Sequence, residues 1–105
     1  MTQELTSDNF QQEVLQADVP VLVDFWGHGC PPCKAVAPVI DELARNAGGK
    51  YRVGKVNVHD HQDLGTEFRI TAIPTLLIFK GGAVVRKFAG AQDGRTLLRA
   101  LTEVA

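Results

Sequence analysis

The chain lacks a surplus of charge of either sign. Its 11 basic and 12 acidic side chains give a formal net charge of -1. They are scattered without a basic stripe or an acidic tail, which argues against nucleic acid and anionic membrane as partners. No apolar run is long enough to cross a bilayer, and Met1-Thr2-Gln3-Glu4-Leu5-Thr6 lacks the positive and apolar regions of a secretory signal. The expectation is a cytoplasmic protein that does not engage membrane. Cysteine is scarce too: 2 residues in 105, at positions 30 and 33. A chain of this length, 45% hydrophobic, is above the size at which disulfides or metals become necessary for folding, so the pair is not needed as a staple. In a reducing compartment, close cysteines point instead to metal binding or to redox catalysis. Internal repeats, low-complexity tracts and Pro/Gly/Ser linkers are also absent, so a single domain over residues 1–105 is expected.

What is present reads as alternating strands and helices. Asp8 with Gln11 three residues on has the form of a capping box, and Phe10, Val14 and Ala17 fall on one helical face. From Val19 to Trp26 the chain is almost continuously apolar and rich in β-branched residues, as suits a strand buried on both faces of a parallel sheet. A helix starts near Cys30, buries Val36, Val39, Ile40 and Leu43, and stops at Gly48-Gly49. Tyr51 to Val58 reads as a second strand, and Leu64 with Phe68 as one face of a short helix. Thr75 to Phe79 and Ala83 to Phe88 are strands joined through Lys80-Gly81-Gly82, a link short enough only for an antiparallel hairpin. Asp93 caps a last helix bearing Leu97, Leu98, Leu101 and Val104. The fold class is therefore α/β, a mixed sheet with helices on both faces.

Cys30 falls where a buried strand gives way to a helix. The free backbone N–H groups and dipole of a helix start favour an anion. Because the thiolate is the nucleophilic form of cysteine, this position activates Cys30 as an attacking and leaving group. Cys33 returns to the same helical face one turn inward, within reach of a disulfide carried by Cys30. The pattern suits one cysteine that attacks and one that resolves. Cys-x2-Cys also supplies two ligands of a tetrahedral zinc centre. The other two would have to come from His28, His59 or His61, and neither His59-Asp60-His61 nor a single cysteine pair matches a familiar zinc spacing. The strand–helix setting favours redox use, without a metal. Asp24 is the only acid in the apolar strand, where a lone carboxylate is desolvated toward its neutral form and can exchange protons near neutral pH. A structural aspartate paired with Lys55 is the competing reading.

Val23-Asp24-Phe25-Trp26, Cys30-Pro31-Pro32-Cys33-Lys34 and Ala37-Pro38 together resemble the active-site segment of the thioredoxin family. Phe10, Lys55-Val56-Asn57-Val58, Ile73-Pro74-Thr75-Leu76, Phe79-Lys80-Gly81-Gly82 and Gly90 extend the resemblance, in the family's order, across nearly the whole chain. It implies a thioredoxin fold and protein-disulfide reduction, with Cys30 as nucleophile, Cys33 as resolving cysteine, Pro31 and Pro32 between them, and Asp24 taking the proton from Cys33. It further implies a cis peptide at Ile73-Pro74, Ile73 backbone groups that meet an extended substrate peptide, and a contact surface completed by Gly29, Gly90 and Ala91. Trp26 and Lys55 support the site. On this reading no cofactor is bound, and electrons come from NADPH through a flavin-containing thioredoxin reductase. The partners are that reductase and disulfide-bearing proteins, and the chain is a monomer.

The family usually reads Trp-Cys-Gly-Pro-Cys, and this chain departs from it twice. Gly29 removes the aromatic that flanks the nucleophile, which opens the site and weakens apolar contact with substrate. Pro31 removes an N–H and restricts φ in the first helical turn, while Pro32 disfavours the helical region for Pro31. A shifted reduction potential is expected. Two other functions fit the same residues: a disulfide donor or isomerase, and a noncatalytic module that binds through the Gly29, Ile73 and Gly90 surface. Pro38 is expected to kink its helix, and His28 reads as a solvated loop residue.

Overall fold

The apolar run ending at Trp26 forms β2 (Val21–Trp26), the middle strand of a five-stranded sheet. The computed structural model describes residues 2–105. Side chains of a strand alternate between faces, and in β2 both sets are covered: Leu22 packs into one apolar cluster, Val21, Val23 and Phe25 into another. Parallel to β2 lies β3 (Arg52–Asn57), and antiparallel to it β4 (Thr75–Lys80). The edges are β1 (Gln3–Glu4), parallel to β3, and β5 (Ala83–Ala89), antiparallel to β4, so the order is β1-β3-β2-β4-β5. The last two strands meet through Gly81-Gly82, with φ of 62° and 82°, the double positive φ that a two-residue hairpin loop requires.

Helices cover both faces, as the sequence pattern implies. On one side α1 (Pro31–Arg45) and α3 (Gly94–Glu103) bury Val36, Ile40, Leu97 and Leu101 against Leu22, Val53, Leu76 and Ile78. On the other, a π-helical segment (Gln11–Leu15) and α2 (Gln62–Glu67) pack near Val23, Phe25, Val56 and Phe79. There Phe10, Phe68 and Phe79 form a three-ring cluster with centroids 5.2 to 5.6 Å apart, the spacing at which aromatic pairs add to simple burial.

Several expectations need correction. The capping box at Asp8 and Gln11 is not formed. Thr6 and Asn9 make the reciprocal pair instead, Thr6 N donating to Asn9 Oδ1 at 2.8 Å and Asn9 N to Thr6 Oγ1 at 3.3 Å. Val19 and Pro20 precede β2 and do not belong to it. Val39 is only half-buried and Leu98 is 46% exposed, because α1 and α3 turn narrower stripes to the sheet than their apolar residues suggest. In α3 the small Ala100 takes the buried place. Asp93 does cap α3, accepting from Thr96 N at 2.8 Å.

The two-residue strand β1 has no counterpart in the sequence reading. It is held by tertiary contact: Leu5 N donates to Lys55 O at 2.8 Å, and the Leu5 side chain lies directly over Gly54, where a Cβ would collide with it and come within 3.2 Å of Gln3 O. Gly54→Ala is therefore expected to destabilise the protein by about 1–3 kcal/mol, the usual cost of overpacking. A lower denaturant midpoint at unchanged slope checks it.

Candidate active site

The site begins at the seam between β2 and α1. Cys30 is the N-cap of α1, in extended backbone (φ -114°, ψ 98°), and its Sγ accepts from Cys33 N at 3.2 Å. Pro31 and Pro32 fill the first two helical positions. Proline is well tolerated there, having no N–H to satisfy. Although Pro32 follows it, Pro31 is already the first residue of the helix. A consequence for charge follows: the two prolines offer no donors, so the Cys33 N–H is the first-turn group that reaches the Cys30 sulfur. Cys30 and Cys33 are joined by a disulfide with Cα atoms 5.2 Å apart. Both are buried, at 7% and 4% exposure, with Cys33 the deeper by a small margin.

Asp24 lies on the sheet face that α1 covers, in the same alternate set as Leu22. It is 4% exposed, and Oδ1 has no hydrogen-bond partner among the described residues. Burial pushes its carboxyl from an ordinary 3.8 up to about 7, with Lys55 pulling the value down and Asp41 adding to the rise. The reading of Asp24 as an aspartate ion-paired to Lys55 is not what the side chains do: Lys55 Nζ pairs with Glu4 Oε1 at 3.6 Å and lies 5.6 Å from the centre of the Trp26 ring. Trp26 is partly buried, and its indole N–H, like Asp24 Oδ1, lacks a partner among the described residues.

A distant part of the chain completes the surroundings. Cys30 Sγ lies 3.8 Å from the Ile73 carbonyl oxygen. The Ile73-Pro74 peptide is cis, as the family resemblance implies. Pro74 O accepts from Gly90 N at 2.8 Å, so residues 30, 73, 74 and 90 are brought together. Gly90 has φ 92°, a conformation glycine adopts without cost. Ala91 follows in an exposed position. Gly29 is exposed with φ 70° and nothing within 4 Å of where a Cβ would stand. The space is open, but the backbone is left-handed, so an aromatic residue there would be strained.

Four residues have roles around the site that the sequence does not assign to them. Gly27 is buried, and a Cβ on it would come within 2.7 Å of His59 Nε2 and 3.0 Å of Ile73 Cδ1, so His59 and Ile73 wall the loop before Cys30. Asn57 Oδ1 accepts from His59 N at 2.9 Å and Asp60 N at 3.3 Å and fixes the turn that carries His59. Thr75 Oγ1 donates to Ala72 O at 2.6 Å and braces the loop before Pro74. Asn and Thr at strand ends are capable of such local bonds, which was the available signal; the Gly27 contact left none. His28 is exposed, its ring set edge-on to Trp26 at 5.0 Å. Among the described residues no three His, Cys, Asp or Glu side chains gather as metal ligands, and no helix is long and apolar enough to cross a membrane.

The thioredoxin family model matches residues 1–103. The chain belongs to the thioredoxin family. It is 48% identical over 98 residues to thioredoxin 1 of Nostoc sp., covering 93% of this chain and 92% of that one. It is 47% identical over 87 residues to a Pseudomonas aeruginosa thioredoxin, covering 83% and 81%. A third relative is the bifunctional thioredoxin reductase/thioredoxin of Mycobacterium leprae, 40% identical over 104 residues that make up 99% of this chain and 23% of the longer protein. Like other thioredoxins this one is a thiol–disulfide oxidoreductase, and its mixed sheet with helices on both faces is the thioredoxin fold.

Proposed function

We propose that the chain is a single-domain, monomeric, cytoplasmic protein-disulfide reductase that works through an atypical Cys30-Pro31-Pro32-Cys33 site. The observation that carries this reading is Cys30 at the cap of α1, its sulfur accepting the Cys33 N–H and bonded to the Cys33 sulfur. In the reduced protein the Cys30 thiolate attacks a substrate disulfide. A Cys30–substrate S–S bond forms, the substrate S–S bond breaks, and one substrate sulfur leaves as thiolate. Cys33 then gives its proton to the Asp24 carboxylate and attacks Cys30 Sγ. The mixed disulfide breaks, the second substrate thiolate leaves, and two electrons have passed to the substrate as Cys30 and Cys33 pair. Burial of Asp24 suits it to hold that proton near neutral pH.

Ile73, Pro74, Gly29, Gly90 and Ala91 are the proposed contact surface for an extended substrate peptide, with Trp26 and Lys55 supporting the site. The exchange itself uses only protein sulfurs, and reducing equivalents come from NADPH through a flavin-containing thioredoxin reductase. The joining of a reductase and a thioredoxin in the Mycobacterium leprae relative supports such a partner. An insulin-reduction assay driven by dithiothreitol tests the reading. The wild-type protein is expected to accelerate precipitation of the insulin B chain, and Cys30→Ser to leave it at the uncatalysed rate. Equal rates for the two proteins would sink the proposal.

A further inference from the structure

Glu4, Lys55 and Asp24 stand in a row across three neighbouring strands. Glu4 of β1 is the register partner of Lys55 in β3, and Lys55 is the register partner of Asp24 in β2. Partners in a ladder project from the same face of a sheet, so all three belong to the face that α1 covers. The row runs from solvent inward: the Glu4 and Lys55 side chains are 69% and 35% exposed, whereas Asp24 keeps 4%. One ammonium thus lies between two carboxylates. It pairs with the outer one, 3.6 Å away, and rests 5.6 Å from the Trp26 ring centre, a distance at which a cation is attracted to an indole face. Among the described residues Asp24 has no ion pair, and its Oδ1 has no partner.

We propose that Glu4 is a positioning residue for the redox reaction: it holds the Lys55 ammonium over Trp26 at the outer end of the row, and so leaves Asp24 free to carry the proton of the resolving step. The proposal rests on the reading of Asp24 as the proton carrier of the resolving step. A cation brought against a carboxylate favours its ionised form, so an untethered Lys55 would drain the proton from Asp24 at lower pH. The other groups around Asp24 do not hold Lys55. From α1 comes Asp41, whose carboxylate accepts from the Thr2 hydroxyl and opposes ionisation of Asp24. From β4 the register partner is the apolar Leu76.

Carbon-13 NMR of the Asp24 carboxyl in the oxidised full chain, titrated from pH 5 to 9, tests the proposal with Glu4→Gln, Lys55→Met and the double variant. Glu4→Gln is expected to lower the Asp24 midpoint by roughly half a unit to one unit, the size expected when a unit charge moves a few ångströms closer at the effective dielectric of a protein. In the Lys55→Met background the same substitution should move the midpoint by less than about 0.2 unit, since the two effects are coupled through one side chain. An unchanged or raised midpoint in Glu4→Gln overturns the proposal. So does a shift of equal size without Lys55, which would make Glu4 act through its own charge. The pH profile of disulfide reduction, recorded for wild type and Asp24→Asn, separates the two levels: a profile unchanged by Asp24→Asn defeats the proton-carrier reading and this proposal with it. A profile that depends on Asp24, together with a midpoint indifferent to Glu4, defeats this proposal alone.

Discussion

Cys33→Ser is expected to halt the reaction at a covalent complex with the disulfide substrate. Cys30 keeps its place at the cap of α1 and still attacks, forming one S–S bond and expelling one substrate thiolate. What is lost is the second sulfur. Cys33 sits three residues away in the first turn of the helix, close enough for the two sulfurs to bond. Attack from that distance is intramolecular, and well-oriented intramolecular reactions outrun millimolar external thiol by several orders of magnitude. Turnover without added small thiol should therefore fall by at least about 100-fold, or roughly 2.7 kcal/mol in the barrier of the resolving step. Intact-mass analysis after mixing with substrate should show the protein plus one substrate chain, released by dithiothreitol, and no such adduct for Cys30→Ser. The reverse result, an adduct on Cys30→Ser and none on Cys33→Ser, would exchange the roles of the two cysteines. Burial differs by so little between them, 7% against 4%, that the cap position of Cys30 carries the assignment.

The parts of this protein that the sequence makes plain are those decided by local pattern. β2 is legible because both of its faces are buried and its residues say so one after another. α1 is legible because Cys30, Pro31 and Pro32 suit a helix start and Val36, Ile40 and Leu43 recur on one face. Asp24 is conspicuous as the lone acid in an apolar strand. Where two local readings compete, pattern is less decisive: Thr6-x-x-Asn9 and Asp8-x-x-Gln11 offer the same capping chemistry two residues apart, and the chain forms the first. Leu98 follows the helical period as well as Leu97 does, but the rim of α3 leaves it 46% exposed. The parts that stay hidden depend on distant partners. Nothing near Gln3 and Glu4 signals a strand; β3 makes it one. Residues 30 and 73 are brought together by the order of the sheet, and without the family resemblance no spacing in the chain links them. Gly29 reads as the absence of an aromatic, whereas its positive φ, which a glycine takes up freely, is visible only in the structure.

Asp24→Asn is expected to make the protein more stable and less active, and the pH dependence gives the sign of each effect. The Asp24 carboxyl lies at about 7 in the folded chain against an ordinary 3.8. Below pH 4 the group is protonated whether the chain is folded or unfolded, and burial costs little beyond an unpaired polar atom. Between pH 4 and 7 the unfolded chain releases this proton while the folded chain holds it, so the folded state binds more protons and stability falls as pH rises. Above pH 7 the loss is complete, and a shift of this size corresponds to about 4 kcal/mol, an upper figure because burial alone sets most of it. Asparagine has a similar shape and never ionises, so the variant should match the wild type near pH 4 and exceed it by up to about 4 kcal/mol at pH 8, read from denaturant midpoints at equal slope. Parallel stability curves for the two proteins between pH 4 and 8 would show that Asp24 does not carry a raised pKa. The gain in stability has its counterpart in the chemistry. On the proposed role of Asp24, the variant leaves the Cys33 proton to water, so the mixed disulfide should persist longer at pH 7, and reduction should lose the part of its pH dependence that follows Asp24. A buried acid that weakens the fold throughout the neutral range is a reasonable thing for this protein to keep only if that proton is used.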